Sequence, residues 1–199
     1  MQATIQTTYL QTKNVEVLTD DDQKTLIVAS YIHQYGVLFR LSLFAGLSMH
    51  ELLGLQWSDI DPENKQIHLR YESFGNEASY NIHPISSPRS VTLPSRLFLE
   101  LADLYEIQTD TLTKYQLDAQ TNAVASTIKG YHMAPWLLEF FFSQLLDFCQ
   151  LPAYPFSILR DTWIYQLQHG IGLPAPYADD SNSRPLFAYF YSKMKEVWY

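Results

Sequence analysis

A chain of 199 residues with 47% hydrophobic content is long enough to bury one sizeable core and short for two. Its 13 Lys and Arg stand against 21 Asp and Glu, a formal charge of −8 that excludes a uniformly basic surface and leaves any polyanion contact to a local basic face. One cysteine, Cys149, excludes an intrachain disulfide and fits a reducing compartment, and no apolar run approaches the roughly 18 residues of a membrane-spanning helix.

The start of the chain, Met1 to Leu10, is polar and uncharged, with no basic region leading into an apolar run. It does not read as a signal peptide, and the expected setting is the cytoplasm. Residues 1 to 19 read as an N-terminal arm. From residue 20 to 199 the chain reads as a single domain. The acidic run Asp20-Asp21-Asp22 opens a helix containing Leu26, Ile27, Ser30, Tyr31 and Gln34, its acids complementing the helix dipole. Gly36 reads as its stop. A second helix, Val37 to Ala45, is apolar over most of its circumference, which places it at the centre of the core.

Gly46 then supplies the left-handed turn that ends this helix, and Ser48 followed by Glu51 is a capping box for a short third one. Asp61-Pro62-Glu63-Asn64 is a turn by composition. Three short strands follow in the reading: Gln66 to Tyr71 by period-two alternation, Ala78 to Ile85, and Arg89 to Leu93, with Pro84 and Pro88 limiting the pairing. Pro94 marks the start of a helix carrying Leu97, Phe98, Leu101 and Tyr105 at helical spacing. The polar stretch Thr109 to Gly130 has no clear period. Met133 to Leu151 reads as an aromatic helix with Pro135 in its first turn. Phe156 to Gln168 reads as a buried stripe closed by Gly170, and Pro185 to Trp198 as a last helix. The expected fold class is α+β, mainly α, with a small three-stranded antiparallel sheet on a helical body.

Two blocks carry a resemblance. Ala45-Gly46-Leu47 with His50-Glu51-Leu52-Leu53-Gly54-Leu55-Gln56-Trp57-Ser58-Asp59-Ile60-Asp61 is similar to a segment of the tyrosine recombinase, or phage integrase, family. Ser157-Ile158-Leu159-Arg160-Asp161-Thr162-Trp163, with Gln168-His169-Gly170 at the right spacing, resembles that family's second block. The resemblance implies the family's catalytic-domain fold. It also implies a chemistry in which a tyrosine attacks a DNA phosphodiester and forms a phosphotyrosyl link, so that neither metal nor nucleotide cofactor takes part. Two arginines hold the nonbridging oxygens, a sheet lysine protonates the leaving oxygen, and two His or Trp residues assist.

Carried over residue by residue, the resemblance puts Ser48 at the first arginine, Ser157 at the second-block histidine and Asp180 at the later histidine. Arg160 stands at the second arginine. Tyr189 falls at the nucleophile, with Tyr191 taking its place if the register slips by two. No lysine lies between Lys65 and Lys114; Lys65 precedes the first predicted strand, and Arg89, at the start of the third, is a weak substitute and a candidate DNA contact. The expectation is an integrase-like protein with a degenerate active site, acting as a DNA-binding or accessory factor in integration or site-specific recombination. An acidic protein-interaction module on the same fold, without DNA binding, is the competing expectation. An active recombinase using Tyr189 is the third.

Each signal also has a structural reading. Ser48 has a sufficient job as a helix cap, Arg160 as the partner of Asp161 or Glu51, and the Tyr189-Phe190-Tyr191 cluster as core or interface. His68, His83 and His132 have no metal-motif spacing. Duplex DNA, a protein partner, or a second copy meeting the aromatic tail 192–199 are the expected partners, and no membrane.

Overall fold

The computed structural model describes residues 16–76, 79–174 and Tyr177. Most of the predicted arm and the predicted helix from Pro185 to Trp198 lie outside the described residues. The first helix, α1, spans Asp20–Ser30, where Thr19 caps it by accepting a hydrogen bond from the Asp22 N–H and three aspartates fill the first turn. α2 spans Gly36–Ala45 and is buried at every position. It is the hub of the fold, packed against α1, α3, α4 and α6. Phe39 of α2 meets Phe142 and Phe156 with ring centroids 5.5 and 6.1 Å away. Burying side chains of this size contributes about 1.5–3 kcal/mol each.

Gly36 corrects the reading above: it opens α2 and does not stop α1. α1 already ends at Ser30, and a Cβ on Gly36 would lie 1.7 Å from the Ser30 carbonyl oxygen, so the tight α1–α2 turn admits only glycine. Gly46 behaves as the sequence predicts. It sits at φ +68° after α2, and a Cβ there would also strike the Trp163 ring at 2.3 Å.

α3 spans Met49–Gly54, and a 3-10 turn, Trp57–Asp59, leads into the sheet. The sheet has three antiparallel strands in the order β1 (Ile60–Asp61), β2 (Gln66–Asn76) and β3 (Ser79–Thr92). The count of three matches the prediction, but the strands differ. Asp61, read as the start of a turn, forms β1 with Ile60, and the two pair with Gln66 and Ile67. The second and third predicted strands are one strand, β3, whose register on β2 jumps between the pairs Leu69↔Arg89 and Tyr71↔Pro84. The residues between Pro84 and Pro88 form the irregularity, so the prolines kink the strand without ending it.

α4 runs Ser95–Tyr115, well past Thr109. α5 spans Pro135–Phe148 with Pro135 in its first turn, and α6 spans Ile158–Gln168. A buried polar network ties α1, α2 and α4 to the chain beyond α6. Arg40 of α2 donates Nε–H to Glu100 of α4 at 2.8 Å and Nη1–H to Ser30 Oγ at 2.7 Å. Glu100 also accepts from Arg96 and from the Tyr177 hydroxyl, both at 3.0 Å, and the Tyr31 and Tyr177 hydroxyls lie 2.5 Å apart. Burial, the bond with Tyr31 and the charge of Glu100 hold the Tyr177 phenol far above the usual tyrosine range.

Candidate functional site

The site is built where α3, β3 and α6 converge. The capping box predicted from Ser48 and Glu51 is present in full: the Glu51 N–H donates to Ser48 Oγ at 3.2 Å and the Ser48 N–H donates to Glu51 Oε2 at 2.8 Å. This closed loop fixes the Glu51 carboxylate, whose side chain is 12% exposed. Its Oε1 accepts a fork from Arg89, Nε at 3.2 Å and Nη2 at 2.9 Å. Its Oε2 lies 3.9 Å from Arg160 Nη1.

Glu51 therefore joins two cations from distant parts of the chain. Burial pushes its carboxyl upward, but the Ser48 N–H and the Arg89 and Arg160 guanidinium groups outweigh that and hold it below the usual carboxylate range. Arg160 occupies the first turn of α6, and its Nε is buried with no hydrogen-bond partner among the described residues. Ser157 sits at the α6 N-cap position, exposed, with no side-chain capping bond.

Ser48, Ser157 and Arg160 line one open cavity of about 450 Å³, together with His50, Glu139 and Asp161. Three positions predicted from two separate sequence blocks are thus brought together, and Arg89 is tied to them through Glu51. His50 is exposed, and its Nδ1 lies 2.7 Å from the Ser73 carbonyl oxygen. Asp180, Tyr189 and Tyr191 lie outside the described residues. The expected pairing of Arg160 is with Glu51. Arg96 turns away to Glu100 in the buried network.

The electrostatics are mixed. The trio of Arg89, Arg160 and Glu51 carries a net single positive charge, and Asp161 with the exposed Glu139 subtracts from it along the cavity wall. Chemically, the arrangement offers guanidinium N–H groups and two serine hydroxyls to an oxyanion, and no thiolate. A second cavity of about 480 Å³, between Trp57, Tyr105, Gln108, Gln120 and Asn122, is lined by neutral side chains.

The forked contact from Arg89 to Glu51 is the part of the site that sequence reading missed. Glu51 is legible as a cap and as one of the acids open to Arg160, but not as the partner of Arg89, because the register jump that aims Arg89 at α3 leaves no periodic trace. The buried Arg40–Glu100 pair did leave a signal: Arg40 is the only charged residue in an otherwise apolar helix, and an arginine at the centre of a core requires a carboxylate.

Among the described residues the architecture is six helices centred on α2, a three-stranded antiparallel sheet against α3, and the cavity between α3 and α6; it is the tyrosine-recombinase catalytic-domain fold. No family model matches the chain. A tyrosine recombinase XerC-like protein of Caldanaerobacter subterraneus subsp. tengcongensis is 27% identical over 176 residues, 80% of this chain and 45% of the relative. The chain therefore spans less than half the length of the curated relative it matches. Among solved structures, the Tn1549 transposon integrase in complex with transposon right end DNA superposes with a TM-score of 0.64 at 15% identity, over 94% of this chain and 67% of that one. The XerA recombinase gives 0.60 at 16% identity, over 92% and 64%. At these identities the structural likeness is one of fold. It agrees with the resemblance and the fold class read from the sequence.

Proposed function

We propose that this chain is an integrase-like protein of DNA integration or site-specific recombination, a DNA-binding or accessory factor that is impaired as a catalyst on its own. The observation that carries the reading is the side-chain content of the cavity. Arg160 on its wall, with Arg89 tied to it from outside the cavity through Glu51, offers guanidinium donors suited to a DNA phosphate, and Ser48 stands committed to the α3 cap where the resemblance puts the first arginine. Losing one preorganised transition-state donor typically costs on the order of 100- to 1000-fold in rate, and Ser48 and Ser157 remove two such groups. Duplex DNA as partner is supported by the likeness to an integrase solved with transposon end DNA. In this reading Arg160 is the retained phosphate-binding residue, Arg89 a DNA contact, Tyr189 the position of the nucleophile with Tyr191 as the runner-up, and Asp180 a replaced histidine.

The test has two arms. A mobility shift with duplex DNA, repeated at rising salt, is expected to show binding that weakens steeply as salt rises. No shift at low salt sinks the DNA reading. A nicked suicide substrate is expected to give no covalent adduct with the chain alone. An adduct that Tyr189→Phe abolishes and Tyr191→Phe spares would instead make the chain an active recombinase.

The acids at the cavity favour a second reading. Glu139 and Asp161 on its wall, with a chain charge of −8, suit a protein-interaction module that kept the fold and gave up DNA. Its mark is a stoichiometric protein partner, or a second copy held through segment 192–199, co-purifying with no nucleic acid retained.

A further inference from the structure

We infer that the outer face of α5 is a docking surface for another protein, one that presents an apolar helical segment flanked by Lys or Arg. A DNA-bound accessory factor and an interaction module both have room for such a surface, so the inference rests on neither reading above.

α5 is apolar almost all the way round: nine of its 14 residues are Trp, Leu or Phe. Leu138, Phe142, Leu145 and Leu146 are buried, which is the stripe that packing on one side requires. Away from that stripe, Trp136, Phe140 and Phe148 stand 47%, 49% and 68% exposed. Trp136 and Phe140 are one turn apart and share a side of the helix. A helix apolar on both sides belongs between two packed layers, as α2 does, but α5 is covered on one side only. Three rings exposed to this degree offer roughly 300 Å² of aromatic surface, the size at which an apolar patch marks an interaction site.

Charge selects the occupant. The helix carries Glu139 and Asp147, both exposed, and no Lys or Arg. Such a face repels a phosphate backbone, and it lacks the cations with which an interfacial helix holds anionic lipid headgroups. A contact between the α5 helices of two copies would set acids against acids. A partner with an apolar ridge and flanking cations satisfies both halves of the surface. Trp and Phe are side chains that fill the centre of protein interfaces, and the acids then meet opposite charges at the rim, where they steer the encounter.

Defined peptides test this on the full chain. The probe is a labelled helical peptide of about 14 residues, four turns, with Leu on one side and Lys on the other, read by fluorescence anisotropy. A Ser/Lys peptide of the same charge and a Leu/Glu peptide with the same apolar side are the controls. Wild type is expected to bind the Leu/Lys peptide saturably and neither control. Trp136→Ala with Phe140→Ala removes rings that are half exposed, so the fold should survive, as a melt checks, while affinity should fall by about tenfold or more. Glu139→Lys with Asp147→Lys should exchange the preference, taking the Leu/Glu peptide in place of Leu/Lys; this arm decides alone if the alanine variant does not fold. No binding of the Leu/Lys peptide, equal binding by wild type and the alanine variant, equal binding of the Ser/Lys peptide, or an unexchanged preference overturns the inference. Self-association abolished by the alanine changes would give the face to a second copy and also overturn it. In the mobility shift, the alanine variant is expected to hold duplex DNA as wild type does, and a loss there would give the face to DNA against the inference. Peptide binding intact with no duplex binding by wild type would uphold this surface and sink the DNA reading.

Discussion

Replacing Glu51 with glutamine removes one negative charge at the junction of α3, β3 and α6 while keeping the side chain's size. Glutamine still accepts the Ser48 N–H through its carbonyl oxygen, so the cap survives, but the amide nitrogen repels one of the two guanidinium groups. Charge-assisted bonds of this kind are worth about 1.5–3 kcal/mol when well covered. Arg89 and Arg160 are 38% and 40% exposed, so solvent screening pulls their share toward the range of surface pairs. The net cost comes to about 1–2 kcal/mol, which for a domain of this size lowers the melting temperature by about 2–8 °C.

The pH dependence carries the sign. The folded-state carboxyl of Glu51 is held below its ordinary value of 4.5, so its stabilisation is fully present above that pH and is lost as the pH falls through the depressed folded value. Wild type should therefore lose more stability than Glu51→Gln between neutral pH and pH 3. The two curves should converge at the acid end. Affinity for duplex DNA should move the opposite way, rising roughly five- to tenfold at low salt as the trio gains a net charge. Melts across pH, read by tryptophan fluorescence, and a low-salt mobility shift measure both arms. Parallel melting curves for the two proteins from pH 7 to pH 3 would refute the assignment of Glu51 as the carboxylate that binds these cations.

Two further outcomes test the frame around the site. Gly46→Ala must place a Cβ at positive φ and into the Trp163 ring, so urea unfolding should show a loss of about 2–4 kcal/mol, well beyond the left-handed backbone cost alone. Arg40→Met should cost about 3 kcal/mol, because Glu100 stays buried with only Arg96 to neutralise it. The double change Arg40→Met with Glu100→Leu should be less destabilised than the single one, a non-additivity that a double-mutant cycle measures directly.

The parts of the fold legible in the sequence are those written in local rules. The Ser48–Glu51 box, the left-handed Gly46 and Pro135 in the first turn of α5 each act within a few residues, and all three stand in the structure. α4 ran past its predicted range for a physical reason. Its last turns carry no apolar stripe to announce a helix, and Thr109 and Thr113 satisfy their hydroxyls on the Tyr105 and Thr109 carbonyls one turn back. β3 was divided in the reading because Pro84 and Pro88 are strand breakers in general, whereas here they fall where the register changes and no regular ladder is required. The candidate site was half legible. Motif blocks brought Ser48, Ser157 and Arg160 into one frame, but Arg89 reaches Glu51 across 38 positions through a kink, and no local rule encodes such a contact.

The contacts of α1 have a consequence for how the domain comes apart. The Leu18 N–H donates to Thr162 Oγ1, Gln166 bonds Gln23, and the Tyr31 hydroxyl meets that of Tyr177, three closures that each span more than 140 positions. α1 and the residues just before it are thus sewn to α6 and Tyr177, and neither side peels away without leaving polar groups behind on the other. The body formed by the described residues is expected to open as one cooperative unit.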